Sequence, residues 1–441
     1  MKKKKLLIIH LNEFNLSFLK KGAHKFNCKN INKILNYKRI QTYSVDKTQD
    51  KDLDPWTQSV SINSGIRSKK HKIFNLGQKI PKKLPQIWDI LSKKKINCAV
   101  WGAMNSTYIN NKSIKIFFPD PWNDKVILKP KNLKKIFTLP QVYAQNYSDF
   151  KIFKNFNAIY SFFIAIISSG ILTYFIKNFF LYLRLFISSR FKNYFLFFLF
   201  DIISIHFFKN LTKKYELNFS LIFLNSLAHF QHNNWDEKKN FHKYFLLTEE
   251  ICKCINQLSL RYDDVLIYNG FTQKKIKTEF IIRPKNPRMY LKEIGVKFKN
   301  FSPNMTNGGI IYFNNTRQKK LSLKKLKNAN IYGLQLFDII NLDTKSIFFR
   351  IQIKSFSNFN SINNKKINIR KVLSQLVSEK KNRNFKKINL DNNLDKFTKN
   401  MVFIKTTGRH HHEGHLLMKN KLTNKNRIEN KDIFLLLKKY F

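Results

Sequence analysis

The stretch Asp54-Pro55-Trp56-Thr57-Gln58-Ser59-Val60-Ser61-Ile62-Asn63-Ser64-Gly65 is polar, rich in hydroxyls and closed by a glycine. Pro55 and Trp56 set a turn. Thr57 then opens a segment with helical spacing, marked by Val60 and Ser64. Ser and Thr favour the first turn of a helix because their oxygens satisfy its unpaired N–H groups. Those N–H groups and the helix dipole also make that turn a natural phosphate site. A hydroxyl held there becomes a nucleophile when a metal ion lowers its pKa. Otherwise it is an ordinary helix cap.

A second unusual stretch is Gly408-Arg409-His410-His411-His412-Glu413-Gly414-His415, which holds four of the chain's eleven histidines. Histidine is the commonest metal ligand, and a neighbouring carboxylate can orient it. The alternative is a solvated polar loop of biased composition. Three more polar clusters each follow an apolar run. Asn12-Glu13 follows Leu6–Leu11, Asn225 to His232 follows Phe219–Leu224, and Asn269-Gly270 follows Val265–Tyr268. In an α/β sheet the carboxyl ends of the strands line the ligand crevice. Phe118-Pro119-Asp120-Pro121-Trp122 is a loop fixed by two prolines, with Asp120 either in a turn or in the wall of the pocket. Trp101, Trp122 and Trp235 are read as core packing or as stacking surfaces.

The elements that would position these residues alternate. Strands are expected at Leu6–Leu11, Ile40–Val45 and Ile96–Trp101. Helical stretches are expected over 16–36, from Thr57, and from Pro85 onward, where the proline stands at the helix start. That alternation predicts an α/β domain with a largely parallel sheet. Between 276 and 350 short β-like runs (Glu279–Ile282, Ile310–Phe313, Ser346–Ile353) flank one helix, Leu321–Ala329, which reads as a small α+β subdomain. Residues 357–400, rich in Asn and Lys, read as loop. Met401–Lys405 reads as the last strand, and a basic tail ends in a short helix. The division expected is 1–150 as the first part of the α/β core, 151–215 as an apolar helical insertion and 216–275 as core. The α+β subdomain and loops then occupy 276–400, and the last strand, histidine-rich loop and tail 401–441.

The chain has 441 residues, 43% of them hydrophobic, enough for a sizeable core, and a net charge of +55. Its lysines are spread along the whole length and no nucleic-acid motif accompanies them, so no specific nucleic-acid partner is expected. The charge suits anionic partners such as phosphates or acidic lipid headgroups. Cys28, Cys98, Cys252 and Cys254 lack the spacing of a zinc knuckle or redox pair and read as idle thiols of a reducing compartment. The apolar run after Met1 is cut at Asn12-Glu13, too short for a signal peptide. The expected location is cytoplasmic, with peripheral membrane association through 158–208. That segment, apolar and aromatic with basic residues, has three readings: an insertion packed on the core, an interfacial helix pair on an anionic membrane, or a transmembrane segment.

The order of motifs resembles the alkaline phosphatase superfamily, and within it the type I phosphodiesterase/nucleotide pyrophosphatase branch. That branch runs from a strand and an acidic metal ligand to a Thr or Ser nucleophile at a helix start. It continues through Asp-x-x-x-His and Asp-His to Gly-x-His-x-x-x-Gly. Leu6 to Glu13 matches the first element, with Asn12 and Glu13 the two choices for the ligand. Asp54 to Thr57, with Ser64-Gly65, matches the nucleophile segment. Asn225-x-x-x-His229 matches the third element, Tyr268-Asn269-Gly270 lies where Asp-His is expected, and Gly408-x-His410-x-x-x-Gly414 fits the last in full. The helix after Leu84 and the strand ending at Gly102 resemble the family's elements after the nucleophile.

The resemblance implies a three-layer α/β/α sandwich with a mostly parallel sheet. It implies a divalent metal cofactor, zinc or else manganese, as one or two ions held by Glu13, His229 and His410. It also implies a Thr57 nucleophile passing through a phosphothreonine. Asn12, Asn225, Asn269, Asp120, His232 and His412 become the substrate-binding candidates, with His232 and His412 also able to stand in as ligands. The substrate class is a phosphate or sulfate ester: a phosphorylated small molecule such as a nucleotide sugar, a lipid headgroup or a glycan precursor. Asn225 and Asn269 stand where the family has aspartates, and a two-metal site needs several carboxylates. A single-metal hydrolase and a catalytically degenerate binder of a phosphorylated ligand or anionic membrane are therefore both compatible with the sequence.

Overall fold

The computed structural model describes residues 4–47, 53–123, 127–146, 153–189, 193–303, 308–328, 330–331, 334–335, 337–351, 354–355 and 401–441. The stretch 357–400, read from the sequence as loop, lies wholly outside them. The chain divides into two compact units, one of residues 1–145, 151–276 and 408–441, the other of 146–150 and 277–407.

The first unit is an α/β sandwich. Its strands include β1 (Leu6–Leu11), β2 (Lys38–Tyr43), β3 (Cys98–Trp101), β4 (Ile114–Phe118), β5 (Phe219–Leu224) and β6 (Asp264–Tyr268). With the strands Arg427–Glu429 and Glu413–Met418 they form one eight-stranded sheet. Its order is Arg427–Glu429, β2, Glu413–Met418, β6, β1, β5, β3, β4. All neighbours are parallel except Glu413–Met418, which runs antiparallel to both β2 and β6. β1 is buried along its whole length. Leu7, Ile9 and Leu11 enter one apolar cluster and Leu6 and Ile8 the other, as a strand covered on both faces requires. The first cluster includes residues of the helices Leu16–Lys25, Lys29–Leu35, Asn193–Thr212 and Phe241–Ser259. The second includes those of Ile87–Lys93 and Ile433–Tyr440. Two helical layers around a mostly parallel sheet is the fold class the sequence implied.

Several boundaries moved. The helix of the hydroxyl-rich stretch begins at Pro55, leaving Thr57 third in it, because proline is pre-set for the first helical position. The helix expected from Pro85 starts at Ile87, with Gln86 and Asp89 forming a reciprocal cap, and a short helix, Ser68–His71, precedes it. β4 and Arg427–Glu429 were not anticipated; β4 runs straight into the Phe118 loop and Arg427–Glu429 is only three residues long. The strand expected to end at Lys405 continues through Gly408 to His411, and Glu413–Met418 is a further strand. The histidine cluster therefore lies at the end of one strand and the start of the next, and these two strands belong to different sheets.

The insertion forms helices Phe156–Ser168, Ile171–Lys177, Phe179–Ser189 and Asn193–Thr212. In the second unit Phe337–Asp343, Ser346–Ile351, Gly308–Tyr312 and Asn300–Pro303 make an antiparallel sheet in that order. It has helices at Pro287–Glu293 and Thr316–Asn328. The first of these was missed because seven residues give too little periodicity.

Candidate functional site

The parallel register of β5, β1 and β6 levels their ends: Leu11 lies beside Leu224, and His10 beside Tyr268. Asn12-Glu13, Asn225 and Asn269 consequently leave the sheet on one rim. Backbone bonds tie the three together, Asn12 N–H to Leu224 O at 2.9 Å and Glu13 N–H to Asn269 O at 3.1 Å. Glu13 takes a left-handed backbone conformation, φ 55°, and its side chain is 1% exposed. Residues other than glycine rarely adopt that conformation, and such strain clusters at functional sites.

Two imidazoles meet the Glu13 carboxylate. Nε2 of His232, near the end of the Ser226–Asn233 helix, lies 3.2 Å from Oε2, and Nε2 of His410, from the Met401–His411 strand, lies 3.1 Å away. One donor atom from each of the three residues falls within 4.8 Å of the others. Burial by itself raises the Glu13 pKa, but His410 and His232 outweigh it and hold the carboxyl well below its usual range. Burial likewise opposes charge on His410, but Glu13 prevails and raises that group to about 9.

One carboxylate and two histidines is a common zinc donor set. His410 Nδ1 faces the carbonyl of Leu53, which fixes the tautomer that leaves Nε2 free to ligate. His410 Nε2, though close to Glu13, makes no well-aligned hydrogen bond, and Gln273 Oε1 and Asn12 Oδ1, whose amide nitrogens bond Glu13, are also unsatisfied. The residues present therefore fit a single divalent ion.

The other named residues divide. Asn12 donates to Glu13 Oε1 at 2.9 Å and to Asn225 Oδ1 at 2.7 Å, and so lies inside the cluster. Asn225 in turn reaches His229 Nε2 at 3.2 Å. His229 sits outside the three-residue group, its ring stacked on Phe197 with centroids 3.6 Å apart. Burial, with His232 adding to it, lowers its pKa to about 3. Asn269 is fully buried, donates to Phe14 O and accepts from His415 N–H, so it braces backbone. Asp120 accepts from the N–H groups of Asn105 and Trp122 and fixes its loop as a turn. His412 packs on His411, and its carbonyl accepts from Ser44 N–H. Trp101 stacks on Phe118 within the core. The Thr57 hydroxyl, fully buried, donates to Ile73 O at 3.3 Å.

Both glycines of the 408–414 motif have a packing reason. A Cβ at Gly408 would stand 2.5 Å from Gln231 O, and one at Gly414 would stand 2.8 Å from Asn269 Oδ1 and 3.0 Å from Gly270 O. The spacing brings the His410 strand against Gln231 and the following strand, Glu413–Met418, against Asn269 and Gly270.

Two residues escaped sequence reasoning. Gln273 donates to Glu13 Oε2 from just beyond β6. Asp201, the sole acid in the sequence from 151 to 215, accepts from the N–H groups of Asn225 (3.0 Å) and Ser226 (2.8 Å). It thereby caps the helix that carries His229 and His232. An acid alone in an apolar run was the available signal, since such a residue must be paired.

Burial pushes the Asp201 carboxyl up to about 7, against the bonds from Ser226 and Asn225. The folded state thus keeps a proton that the unfolded chain releases near pH 4. Its contribution is full below about pH 4 and is lost as pH rises toward 7, a change on the order of 4 kcal/mol. Chemical denaturation of wild type and Asp201→Asn across this range will show the wild type losing stability relative to the variant as pH rises. A pH-independent difference would mean that Asp201 is ionised throughout.

No family model matches the chain, and no curated protein matches it. Several solved structures are similar to it. The phosphonoacetate hydrolase from Sinorhizobium meliloti, with phosphonoformate bound, aligns at 9% identity and a TM-score of 0.44, covering 100% of this chain and 96% of its own. Murine ectonucleotide pyrophosphatase/phosphodiesterase 5 aligns at 9% identity and 0.44, covering 98% and 94%. A variant of the alkaline phosphatase PafA aligns at 10% identity and 0.41, covering 99% and 96%. At these scores the likenesses carry no residue assignments; the α/β fold rests on this chain's own strand order and the site on its own distances.

Proposed function

We propose that the chain is a divalent-metal-dependent phosphoester hydrolase or phosphotransferase. The observation that carries this reading is the convergence of Glu13, His232 and His410 at the carboxyl rim of a parallel sheet. Zinc fits the donor set, with manganese as the alternative. A bound ion would polarise a phosphoryl oxygen and favour the ionised form of a nearby hydroxyl or water. Asn12 donates one amide to both Glu13 and Asn225, holding the carboxylate in place, while the carbonyl of Leu53 orients His410. Thr57 is the proposed nucleophile. Its helix follows directly on Leu53 and Asp54, and the latter's charge also acts on His410. To attack, Thr57 gives up its bond to Ile73 O. Its Oγ forms a bond to phosphorus as the leaving oxygen departs, and the hydroxyl proton passes to solvent or to that oxygen. Water then cleaves the phosphothreonine. The substrate class is a phosphorylated small molecule, lipid headgroup or glycan precursor.

A second reading, a catalytically degenerate protein that binds a phosphorylated ligand, is favoured by one observation: Asn225 and Asn269 offer amides where two carboxylates would supply charge, and both are engaged in bracing. Elemental analysis after incubation with zinc or manganese, followed by assays on bis(p-nitrophenyl) phosphate and p-nitrophenyl phosphate, separates the two. Hydrolase function requires about one metal equivalent, as a single His₂Glu set implies, and turnover that chelation abolishes. Metal uptake without turnover leaves the binding reading. No uptake overturns the metal-dependent mechanism.

A further inference from the structure

Twelve of the twenty large hydrophobic side chains exposed among the described residues lie between Phe153 and Leu196. Their arrangement inverts that of an ordinary surface helix. In Phe156–Ser168 the buried residues are Ala158 and Ala165, while Phe156, Tyr160, Phe163, Ile164 and Ile167 face outward at helical spacing. In Phe179–Ser189, Tyr182 and Leu185 are buried, and Phe179, Phe180, Leu183 and Ile187 are exposed. Phe153 is 95% exposed and Phe180 83%. About half-exposed side chains of this size sum to an apolar area on the order of 1,000 Å² spread over consecutive helices.

The exposed charge carried by this segment itself has one sign. No Asp or Glu occurs from 151 to 200, whereas Lys154, Lys177 and Arg184 are exposed within it. Beside the start of the Phe156–Ser168 helix is an open groove of 420 Å³, lined by Lys131, Lys134, Lys135, Thr138 and Ser161. Cations and hydroxyls there can take the phosphate oxygens of lipid headgroups.

We propose that the helices between Phe153 and Ser189 seat the protein on the surface of an anionic lipid bilayer, with the phenylalanines in the acyl boundary and the lysines among the headgroups. The seat lies on the surface and does not cross the membrane. Phe153–Ser168 and Ile171–Lys177 meet at 79°, and each is shorter than the roughly 20 residues a crossing needs. Tyr194–Thr212 is long and apolar enough to cross, but half of it is buried in the protein, with Phe198, Ile202, Ile205 and Phe208 in the core and Asp201 bonded to Asn225 and Ser226. Apolar area and charge complementarity together give the affinity of interfacial helices. This inference stands independently of the hydrolase reading.

The test is co-sedimentation of the purified full-length protein with vesicles of phosphatidylcholine alone and with about 30 mol% phosphatidylserine. Binding to the anionic vesicles is expected to be at least tenfold tighter, weakened by salt at about 0.5 M, and released by alkaline carbonate. Phe156→Ser/Phe163→Ser/Phe180→Ser will lose at least tenfold in binding without a lower thermal midpoint, because these side chains are already exposed. Phe156→Trp, whose fold is unchanged in size class, will shift its emission to shorter wavelength on the anionic vesicles only. Equal binding to both vesicle types overturns the proposal, as does resistance to carbonate. Failure to bind, with light scattering showing a dimer that the triple variant abolishes, overturns it in favour of a second copy on this face.

Discussion

Glu13→Gln will abolish stoichiometric zinc binding, lowering affinity by at least about 100-fold in a chelator competition, since it removes the only anion among the three donors. Glutamine keeps the size of the side chain and its bond to Asn12, but its amide nitrogen cannot accept from Gln273, so that bond is lost together with the charge. The apo protein will respond as well. With the carboxylate gone, only Asp54 and the Leu53 carbonyl still favour the charged form of His410 against its burial, so its pKa falls from about 9. The lost pairing costs about 2 kcal/mol, below the usual cost of breaking a buried pair because the histidine escapes by deprotonation. Thermal unfolding with and without zinc will show both effects: a lower midpoint for the apo variant, and a zinc-induced rise in the wild type only. A variant that still gains stability from zinc places the metal elsewhere.

The rim was largely legible in the sequence. Leu6–Leu11, Phe219–Leu224 and Val265–Tyr268 are short apolar runs, each closed by a polar pair, and parallel strands buried on both faces read that way. The Thr57 helix and Gly408-x-His410 were also visible, because proline, hydroxyls and glycine have local conformational consequences. Which histidines converge was not. His229 and His232 are three residues apart on one helix, which is anchored by Asp201 at its start and by Gln231 to the Glu13 and Asn15 backbone, and it is His232 that meets Glu13. Asn269 matched a ligand position by order alone, but its amide braces Phe14 and His415. Long-range hydrogen bonds such as these leave no local pattern. The extended Met401–His411 strand was hidden for a related reason: glycine within a strand reads as a break unless the close approach of Gln231 is known.

Thr57→Ala tests whether the buried hydroxyl is a nucleophile or a brace, and the two roles predict different quantities. As a brace, its bond to Ile73 O is a neutral contact worth about 1 kcal/mol, so alanine would lower stability by that amount and leave turnover of the folded, metal-loaded protein within about tenfold. As the nucleophile, its loss removes the covalent route and will lower kcat by at least about 10³-fold with metal stoichiometry unchanged. We expect the second result, with Thr57→Ser retaining most of the rate because serine supplies the same oxygen. Acid quenching during turnover will then trap a phosphate on the peptide containing Thr57 in the wild type and on none in the alanine variant. An alanine variant that keeps its rate, with no phosphopeptide in either protein, would assign the attack to water and leave Thr57 the role its 3.3 Å bond to Ile73 already describes.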